Sequence, residues 1–178
     1  MKLKSLILGG MLAVSSSYTL AQENSGALYV GVKTGKMLVS VDESGFKASD
    51  PSSVGFVLGY DFGSGFALEF EANNSGKSDL SVYNTYVGEV EIETRALYLA
   101  MRSQGKGFFK GRIGVLQETA TVSGCGYYTC GSEEEDDTGL SLGIGGGYNF
   151  NDTVQVEAEY TILEADVDLL SIGLNLRF

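Results

Sequence analysis

The feature that most constrains this chain is an alternation of apolar and polar residues in segments of roughly ten residues or more, which begins after Gly26. Period-two alternation is typical of β-strands, because successive side chains point to opposite faces of a sheet. The alternating segments are separated by polar, glycine-rich breaks. They span residues 27–36, 53–62, 66–75, 89–102, 107–119, 138–150, 153–163 and 167–178. The pattern therefore predicts an all-β fold of eight antiparallel strands.

One face of each predicted strand is apolar, and the other is charged, polar or glycine. In the third segment, Phe66, Leu68 and Phe70 share one side, whereas Glu69 and Glu71 lie on the other. A soluble eight-stranded barrel would turn its apolar face inward, and a membrane barrel would turn it outward to lipid. Alternation by itself does not decide between these two orientations.

The breaks and the aromatic residues favour the membrane orientation. Longer breaks at 37–52, 76–88 and 120–137 alternate with short ones, as the external loops and periplasmic turns of outer-membrane barrels do. Aromatic residues lie beside the short turns and at the C-terminus, where they would form an interfacial girdle at one end of the barrel. They are Tyr60, Phe62, Phe66, Phe108, Phe109, Tyr148, Phe150 and Phe178.

The N-terminus has the three parts of an export signal. Lys2 and Lys4 give a positive start, an apolar run continues to Val14, and small or polar residues lead to Ala21. We expect cleavage after Ala21, which leaves residues 22–178 as the barrel domain, and an uncleaved membrane anchor is the alternative. The segment removed holds two lysines and no acid, so 10 of the 12 Lys+Arg remain against 23 Asp+Glu.

The last predicted strand ends the chain with an apolar row from Leu170 to Phe178. Ser171, Gly173, Leu176 and Phe178 resemble the C-terminal assembly signal of outer-membrane barrel proteins, in which a polar residue, a glycine and two spaced bulky residues end in Phe. The whole mature chain resembles the eight-stranded class of the outer membrane protein A barrel and outer membrane protein X.

This resemblance implies an eight-stranded antiparallel up-and-down transmembrane β-barrel in the bacterial outer membrane. It also implies recognition by the barrel-assembly machinery, contact with outer-membrane lipid and lipopolysaccharide, and a monomeric state. Roles of the family such as adhesion, serum resistance and envelope integrity become candidate functions. Lipid would then cover the apolar row, and closure of the last strand against the first would leave no free edge.

The polar strand faces predict an interior that is filled with ion pairs. An eight-stranded barrel is about wide enough for its own side chains, and charges buried there must be paired. We interpret the inward charges as a salt-bridge network that plugs the lumen and fixes strand register, and a narrow channel or gate is the alternative. The residues are Lys33, Glu69, Glu71, Glu91, Glu93, Arg95, Lys110, Arg112, Glu157, Glu159 and Arg177.

The composition argues against catalysis and against nucleic-acid binding. The chain has no His, which excludes imidazole general bases, Ser-His pairs and His-ligated metals. Carboxylate pairs such as Glu69 and Glu71 could serve as acid and base. A polar lumen explains them better, because every second residue of a barrel strand faces it. A net charge of -11 leaves no basic patch for phosphates. We therefore expect no enzyme, no cofactor, no metal and no nucleic-acid partner.

The longest late break contains both cysteines and a run of acids. Cys125 and Cys130 predict a disulfide, because an even pair in an exported protein usually forms one. The bridge could serve as a structural staple, as support for a recognition tip at Tyr127 and Tyr128, or as both. For the acids at 133–137, the alternatives are a solvated segment and one whose acids divalent cations bridge to lipid phosphates.

Two classes of function remain after these exclusions. The first is a non-enzymatic structural or surface-interaction barrel that acts through the external segments 37–52, 76–88 and 120–137, with host molecules, surface ligands or lipopolysaccharide as partners. The second is a narrow porin-like channel for small solutes or ions. The sequence favours the first, because the predicted lumen is too narrow and too charged for a wide aqueous path.

Overall fold

The structure is a computed structural model that describes residues 26–39, 46–48, 50–82, 85–125, 130–163 and 167–178. No helix in these ranges is long and apolar enough to span a membrane. The strands are β1 (Ala27–Val39), β2 (Phe46–Ala48), β3 (Ser52–Asp61), β4 (Phe66–Ser75), β5 (Ser78–Val82), β6 (Thr85–Arg102), β7 (Gly107–Cys125), β8 (Cys130–Asn149), β9 (Val154–Ile162) and β10 (Val167–Arg177). The predicted export signal lies outside the described residues.

Eight of these strands form a closed antiparallel barrel. They pair in the order β6, β4, β3, β1, β10, β9, β8 and β7, and β7 pairs with β6 to complete the ring. The first and last barrel strands are neighbours, with Val30 opposite Leu176 and Thr34 opposite Ile172. Closure gives every barrel strand two partners, so no sheet edge is left within the ring. The eight-stranded fold that the alternation predicted is confirmed.

The apolar faces of the barrel strands point outward. On β10, Ile172 and Leu174 are 61% and 45% exposed, whereas Ser171 before them and Asn175 after them are each 2% exposed. Water would penalise such an arrangement, because it exposes apolar surface and buries polar groups. Hydrocarbon around the barrel makes the same arrangement favourable. The faces therefore have the orientation that was predicted for a membrane barrel.

The strands β6, β7 and β8 are much longer than the others. They have 18, 19 and 20 residues, and β6 alone is about 60 Å long at 3.3 Å per residue. Roughly 30 Å of hydrocarbon needs only about half of that length. The outer halves of these strands join β5 and β2 in a sheet that rises beyond the barrel, with the order β2-β5-β6-β7-β8. We call this the outer sheet.

The outer sheet corrects the prediction of three long external loops. Much of 37–52, 76–88 and 120–137 lies in strands, including all of β2 and β5 and the facing ends of β7 and β8. These segments show no apolar face because both of their sides are away from lipid, so the alternation that marks the barrel strands is lost there. Their backbone groups still need partners, and the hairpin ladder supplies them.

The short turns at the opposite end are closed by local hydrogen bonds. Phe62 N–H donates to the Phe66 carbonyl at 2.8 Å, and Gly63 N–H donates to the Asp61 carboxylate at 2.8 Å. Gly63 and Gly65 have φ values of 76° and 85°, a region that residues with a Cβ rarely adopt. We call this the short-turn end of the barrel, and the end that carries the outer sheet the outer end.

Most of the predicted aromatic girdle lies at the short-turn end and faces outward. Tyr60 and Phe62 stack edge to face with ring centroids 5.3 Å apart, and Tyr148 and Phe150 do so at 5.4 Å. Phe108 does not belong to the girdle, because its side chain is buried inside the barrel. It lies on the inward face of β7, one residue from the outward-facing Phe109. Adjacent strand residues cannot both face lipid, so only one of the two could join the girdle.

Candidate functional site

The middle of the lumen contains a compact cluster of eight charged side chains. Five different strands contribute them, and all of these side chains are at most 7% exposed. We call this cluster the charged layer. Its acids are Glu69 and Glu71 on β4 and Glu157 and Glu159 on β9, and its bases are Lys33 on β1, Arg102 on β6 and Lys110 and Arg112 on β7.

On one side of the charged layer, Glu71 is the central acceptor. It binds the Lys33 ammonium at 2.9 Å and also forms an ion pair with the Arg112 guanidinium. Asn73 Nδ2 donates a further hydrogen bond to the Glu71 carboxylate at 2.9 Å. Lys33 continues to Glu159, so these ion pairs form one connected network rather than isolated contacts.

On the other side, Lys110 is the central donor. Its ammonium lies 2.8 Å from Glu69, 2.9 Å from Glu157 and 2.7 Å from Glu159, which uses the three donors that a lysine has. Arg102 ties the layer to the short-turn end, because it pairs with Glu69 at 2.7 Å and Glu157 at 2.9 Å. It also donates to Gln155 Oε1 at 3.0 Å.

The charged layer balances its own charge, with four carboxylates against four cations. Burial of each of these ions alone would cost several kcal/mol in lost hydration. Extensive pairing offsets that cost, because each ion meets at least one opposite charge at close range. A displaced strand register would break these pairs, so the layer favours the observed register over alternatives.

The small residues of β8 leave the space that these large side chains occupy. Gly143 faces inward, and a Cβ built on it would lie 2.7 Å from Arg112 Nε. A Cβ on Gly147 would lie 2.4 Å from the ring of Phe108. The glycine-rich sequence of this strand therefore provides room inside the barrel for Arg112 and Phe108.

Above the charged layer, towards the outer end, a cluster of apolar side chains packs in the lumen beside a few buried polar residues such as Thr94 and Glu118. Tyr98 forms the boundary between the two layers, because its ring centroid lies 4.1 Å from the Arg112 guanidinium carbon and its hydroxyl is 2.9 Å from Ser141 Oγ. We call the cluster beyond it the apolar layer. Its other residues are Met37, Ile92, Ala96, Leu116, Leu163, Val167 and Leu169. The expectation of a polar interior along the whole barrel is therefore wrong at the outer end.

The structure also corrects the assignment of three charges on β6. Glu93 and Arg95 lie on the exposed outer face, and Glu91 has the same strand parity. Asn74 Nδ2 donates to both Glu91 and Glu93 at 3.1 Å on that face. These residues lie where β6 approaches the outer sheet, so their charges do not need to avoid the lipid side. Their prediction as lumen residues is wrong.

The prediction of the charged network is also wrong for two arginines, since it omits Arg102 and includes Arg177. Arg102 belongs to the charged layer and was missed, although its parity with Tyr98 and Ala100 places it inward. Arg177 was predicted in the network, but it pairs with Asp61 at 2.8 Å at the short-turn end and is partly exposed. The four predicted acids of β4 and β9 do lie in the charged layer, where they pair with cations on β1, β6 and β7.

A polar cavity of about 490 Å³ opens at the short-turn end of the lumen. Its lining includes the Arg177–Asp61 pair, Asn149, Asp152 and Gln155, and it ends inward at Arg102 and Phe108. Within the described ranges, no group of three or more His, Cys, Asp or Glu side chains is placed to hold a metal ion. The cavity can hold water, and it narrows onto the charged layer.

The C-terminal residues follow the predicted face assignment. Ser171 and Gly173 face inward, whereas Leu176 and Phe178 are exposed on the outer face. Phe178 N–H donates to the Leu28 carbonyl at 2.8 Å, which ties the end of the chain to β1. The role of these four residues as an assembly signal stays a prediction.

The external features are only partly within the described residues. Cys125 and Cys130 are directly opposite each other at the outer end of the β7–β8 hairpin. Opposite residues of an antiparallel pair have Cα atoms about 4.5–5.5 Å apart, which suits a disulfide, and the bridge stays a prediction. Tyr127 and Tyr128 lie outside the described residues. The acids at 133–137 form part of β8, rather than a loop.

The family of this chain can be assigned from its sequence profile. A family model described as the outer membrane protein beta-barrel domain matches residues 6–178. This chain is an outer membrane β-barrel protein. Its family places it in the bacterial outer membrane, where the outward apolar faces meet lipid. No curated protein sequence matches the chain significantly.

Solved structures of outer membrane β-barrel proteins share this fold at low sequence identity. Neisserial surface protein A has a TM-score of 0.57 and 12% identity, with 86% of this chain and 97% of that chain covered. OprG from Pseudomonas aeruginosa has a TM-score of 0.59 and 15% identity, with coverages of 86% and 95%. The attachment invasion locus protein Ail of Yersinia pestis was solved with the heparin analogue sucrose octasulfate. It has a TM-score of 0.54 and 16% identity, with 86% of this chain and 97% of that chain covered.

Proposed function

We propose that this barrel protein is a non-enzymatic structural and surface-interaction module whose lumen does not conduct ions. The external segments 37–52, 76–88 and 120–137 would contact surface ligands, host molecules or lipopolysaccharide. Residues 1–21 would direct export, and the barrel-assembly machinery would insert the mature chain as a monomer. The observation that carries the proposal is the pair of stacked layers in the lumen, one charged and one apolar.

The charged layer supports closure because its four carboxylates and four cations already pair with one another. An ion that entered from the short-turn end would reach four cations and four carboxylates, which together have no excess charge to attract it. Separating these pairs would leave buried charges without partners, which costs several kcal/mol for each ion. The layer therefore presents a barrier to ions of either sign.

The apolar layer supports closure in a second way. Met37, Leu163 and Leu169 are fully buried, and Leu116 is 1% exposed. Side chains packed in this way leave no room for the hydration shell of an ion, and narrow apolar constrictions also exclude water. An ion would have to lose its hydration shell without gaining a polar ligand.

The outer sheet supports a role in surface contact. Its strands β6, β7 and β8 are much longer than a membrane requires. Part of each strand therefore lies outside the membrane, where it can contact a partner. Its exposed acids include Glu134, Glu135, Asp136 and Asp137. Such a surface favours cationic or neutral partners, or divalent cations that bridge to lipid phosphates, and it disfavours sulfated polyanions.

Conductance recording on the refolded protein tests this proposal. We expect the mature chain in a planar lipid bilayer to give no unitary current steps above the lipid baseline, at either polarity and in molar KCl. A refolded porin in the same bilayers is the positive control, and heat-dependent mobility in gel electrophoresis confirms that each sample is folded. Reproducible current steps from folded monomers would overturn the proposal and favour the narrow channel.

A further inference from the structure

The strand β8 has a free edge beyond the barrel. From Leu142 to Tyr148 it pairs with both β7 and β9, whereas from Cys130 to Ser141 it pairs with β7 alone. Within the part of the chain that the structure describes, no other strand lies along this edge. The β9–β10 hairpin does not extend along it, because Leu163 N–H donates to the Val167 carbonyl at 3.0 Å and closes that hairpin.

The free edge offers a row of backbone donors and acceptors. Every second residue of an antiparallel strand directs its N–H and C=O away from a given neighbour, so about six residues between 130 and 141 present these groups at the edge. Such a row is a template for an added strand. Among the described residues, no other barrel strand has a one-sided stretch of this length, since on β1, for example, only Met37–Val39 lack a second partner strand.

The side chains along this edge carry negative charge on both faces of the strand. Glu134 and Asp136 lie on one face, and Glu135 and Asp137 lie on the other, all of them exposed. Their opposite residues on β7 provide no cation. These residues are Thr121, Thr119, Ala120 and Glu118. The charge of the edge is therefore not compensated from within the hairpin.

We propose that the free edge of β8 binds an extended, basic peptide segment of a partner protein by strand addition. This inference rests on the proposed surface role. Backbone hydrogen bonds would hold the added strand, and its Lys or Arg side chains would meet Glu134 and Asp136 on one face and Glu135 and Asp137 on the other. Directly opposite side chains in a sheet have Cβ atoms about 4.5–5.5 Å apart, close enough for ion pairs.

A second copy of this chain does not fit the same edge. Antiparallel pairing of β8 with itself would bring the four acids of one copy against those of the other, and like charges directly opposite each other are destabilising. The alternative is that the acids only keep the edge unpaired, as charged residues do on many exposed edge strands. The two cases predict opposite results with a basic peptide.

Peptide binding to the refolded protein in nanodiscs of zwitterionic lipid tests the inference. The probe is a ten-residue peptide of lysine, threonine and valine with lysines on both faces, and its control is the same peptide with alternate backbone nitrogens methylated. We expect saturable binding with slowed amide exchange in β8, and binding at least about tenfold weaker after methylation. Lipid of zero net charge prevents adsorption of the probe to the bilayer.

Matched charge variants distinguish binding at the β8 edge from non-specific attraction of the basic peptide to an acidic protein. Glu134→Gln/Asp136→Asn should weaken binding at least about tenfold. Glu91→Gln/Glu93→Gln is the control. These acids lie on the same face, opposite Thr121 and Thr119, but they belong to β6, which has β7 on one side and β4 and β5 in succession on the other. It should change binding by less than about twofold.

Three outcomes would overturn the inference. They are the absence of saturable binding, equal binding of the methylated peptide, and equal loss in both charge variants. The first outcome would mean that the acids only keep the edge of β8 unpaired. The other two would mean that the peptide is held by non-specific electrostatic attraction. None of them bears on the conductance of the lumen, so this inference can fail while the closed barrel stands.

Discussion

Replacement of Glu71 by Gln should lower the free energy of unfolding by about 3–5 kcal/mol. Glu71 is fully buried and pairs with Lys33 and Arg112. The substitution keeps the shape of the side chain but removes its charge, which leaves two buried cations with a net excess of one positive charge. Urea unfolding in lipid vesicles measures the effect, followed by circular dichroism because the chain has no Trp.

Glu93→Gln on the exposed face of β6 is the matched control. The same chemical change there should cost less than about 1 kcal/mol, because water already solvates an exposed charge. The double variant Lys33→Met/Glu71→Gln should recover part of the loss, since it restores charge balance in the lumen. Equal effects at Glu71 and Glu93 would contradict the account of the charged layer.

Introduction of arginine at Leu174 should also destabilise the protein strongly, by about 2–4 kcal/mol. Leu174 lies on the outward face of β10, opposite Val32 on β1, within the band that hydrocarbon covers. A charge at that depth must lose hydration or draw water into the bilayer. Reversible unfolding of Leu174→Arg in vesicles measures the cost.

Val122→Arg in the outer sheet is the comparison for this second change. Val122 is 42% exposed, close to the 45% of Leu174, but it lies beyond the membrane band on β7. The substitution there should change the unfolding free energy by no more than about 0.5 kcal/mol. If both variants were equally tolerated, the outward face of β10 would be in water rather than in lipid.

The number and orientation of the barrel strands could be predicted from the sequence, because lipid imposes a rule on every strand. Each barrel strand must present apolar side chains at every second position, so the pattern survives in strands as different as β4 and β10. The inward acids Glu69 and Glu159 follow from the same parity. The particular ion pairs could not be predicted, because they depend on the shear, that is, on how far neighbouring strands are staggered relative to each other.

The lumen prediction for Glu91, Glu93 and Arg95 on β6 is wrong because it rests on their charge. The alternation of faces along the strand gives the correct side. Leu97, Leu99 and Met101 mark the outward positions, and counting back from them places Arg95 and Glu93 on the same face. The same count places Arg102 inside. A charged residue does not by itself mark the lumen, because a strand that continues beyond the bilayer can carry charge on its outer face.

The outer end of the lumen could not be predicted from the same rule. Met37, Leu116 and Leu169 occupy inward positions that parity marks as polar lower in the barrel. Beyond the hydrocarbon band, a packed interior resembles the core of a soluble protein, and apolar side chains are favoured inside. The boundary between these two regimes depends on the depth of each strand in the membrane, which the sequence alone does not set.

Hydrocarbon should surround the apolar faces of the barrel while the ionic faces pack inside. Spin labels in lipid nanodiscs test it most directly, at Ile172→Cys on the outward face of β10, in a background with Cys125→Ser and Cys130→Ser. We expect the label to collide readily with dissolved oxygen and scarcely with a water-soluble nickel chelate. Strong collision with the chelate, or shielding from both reagents in a protein that stays soluble without lipid, would contradict it.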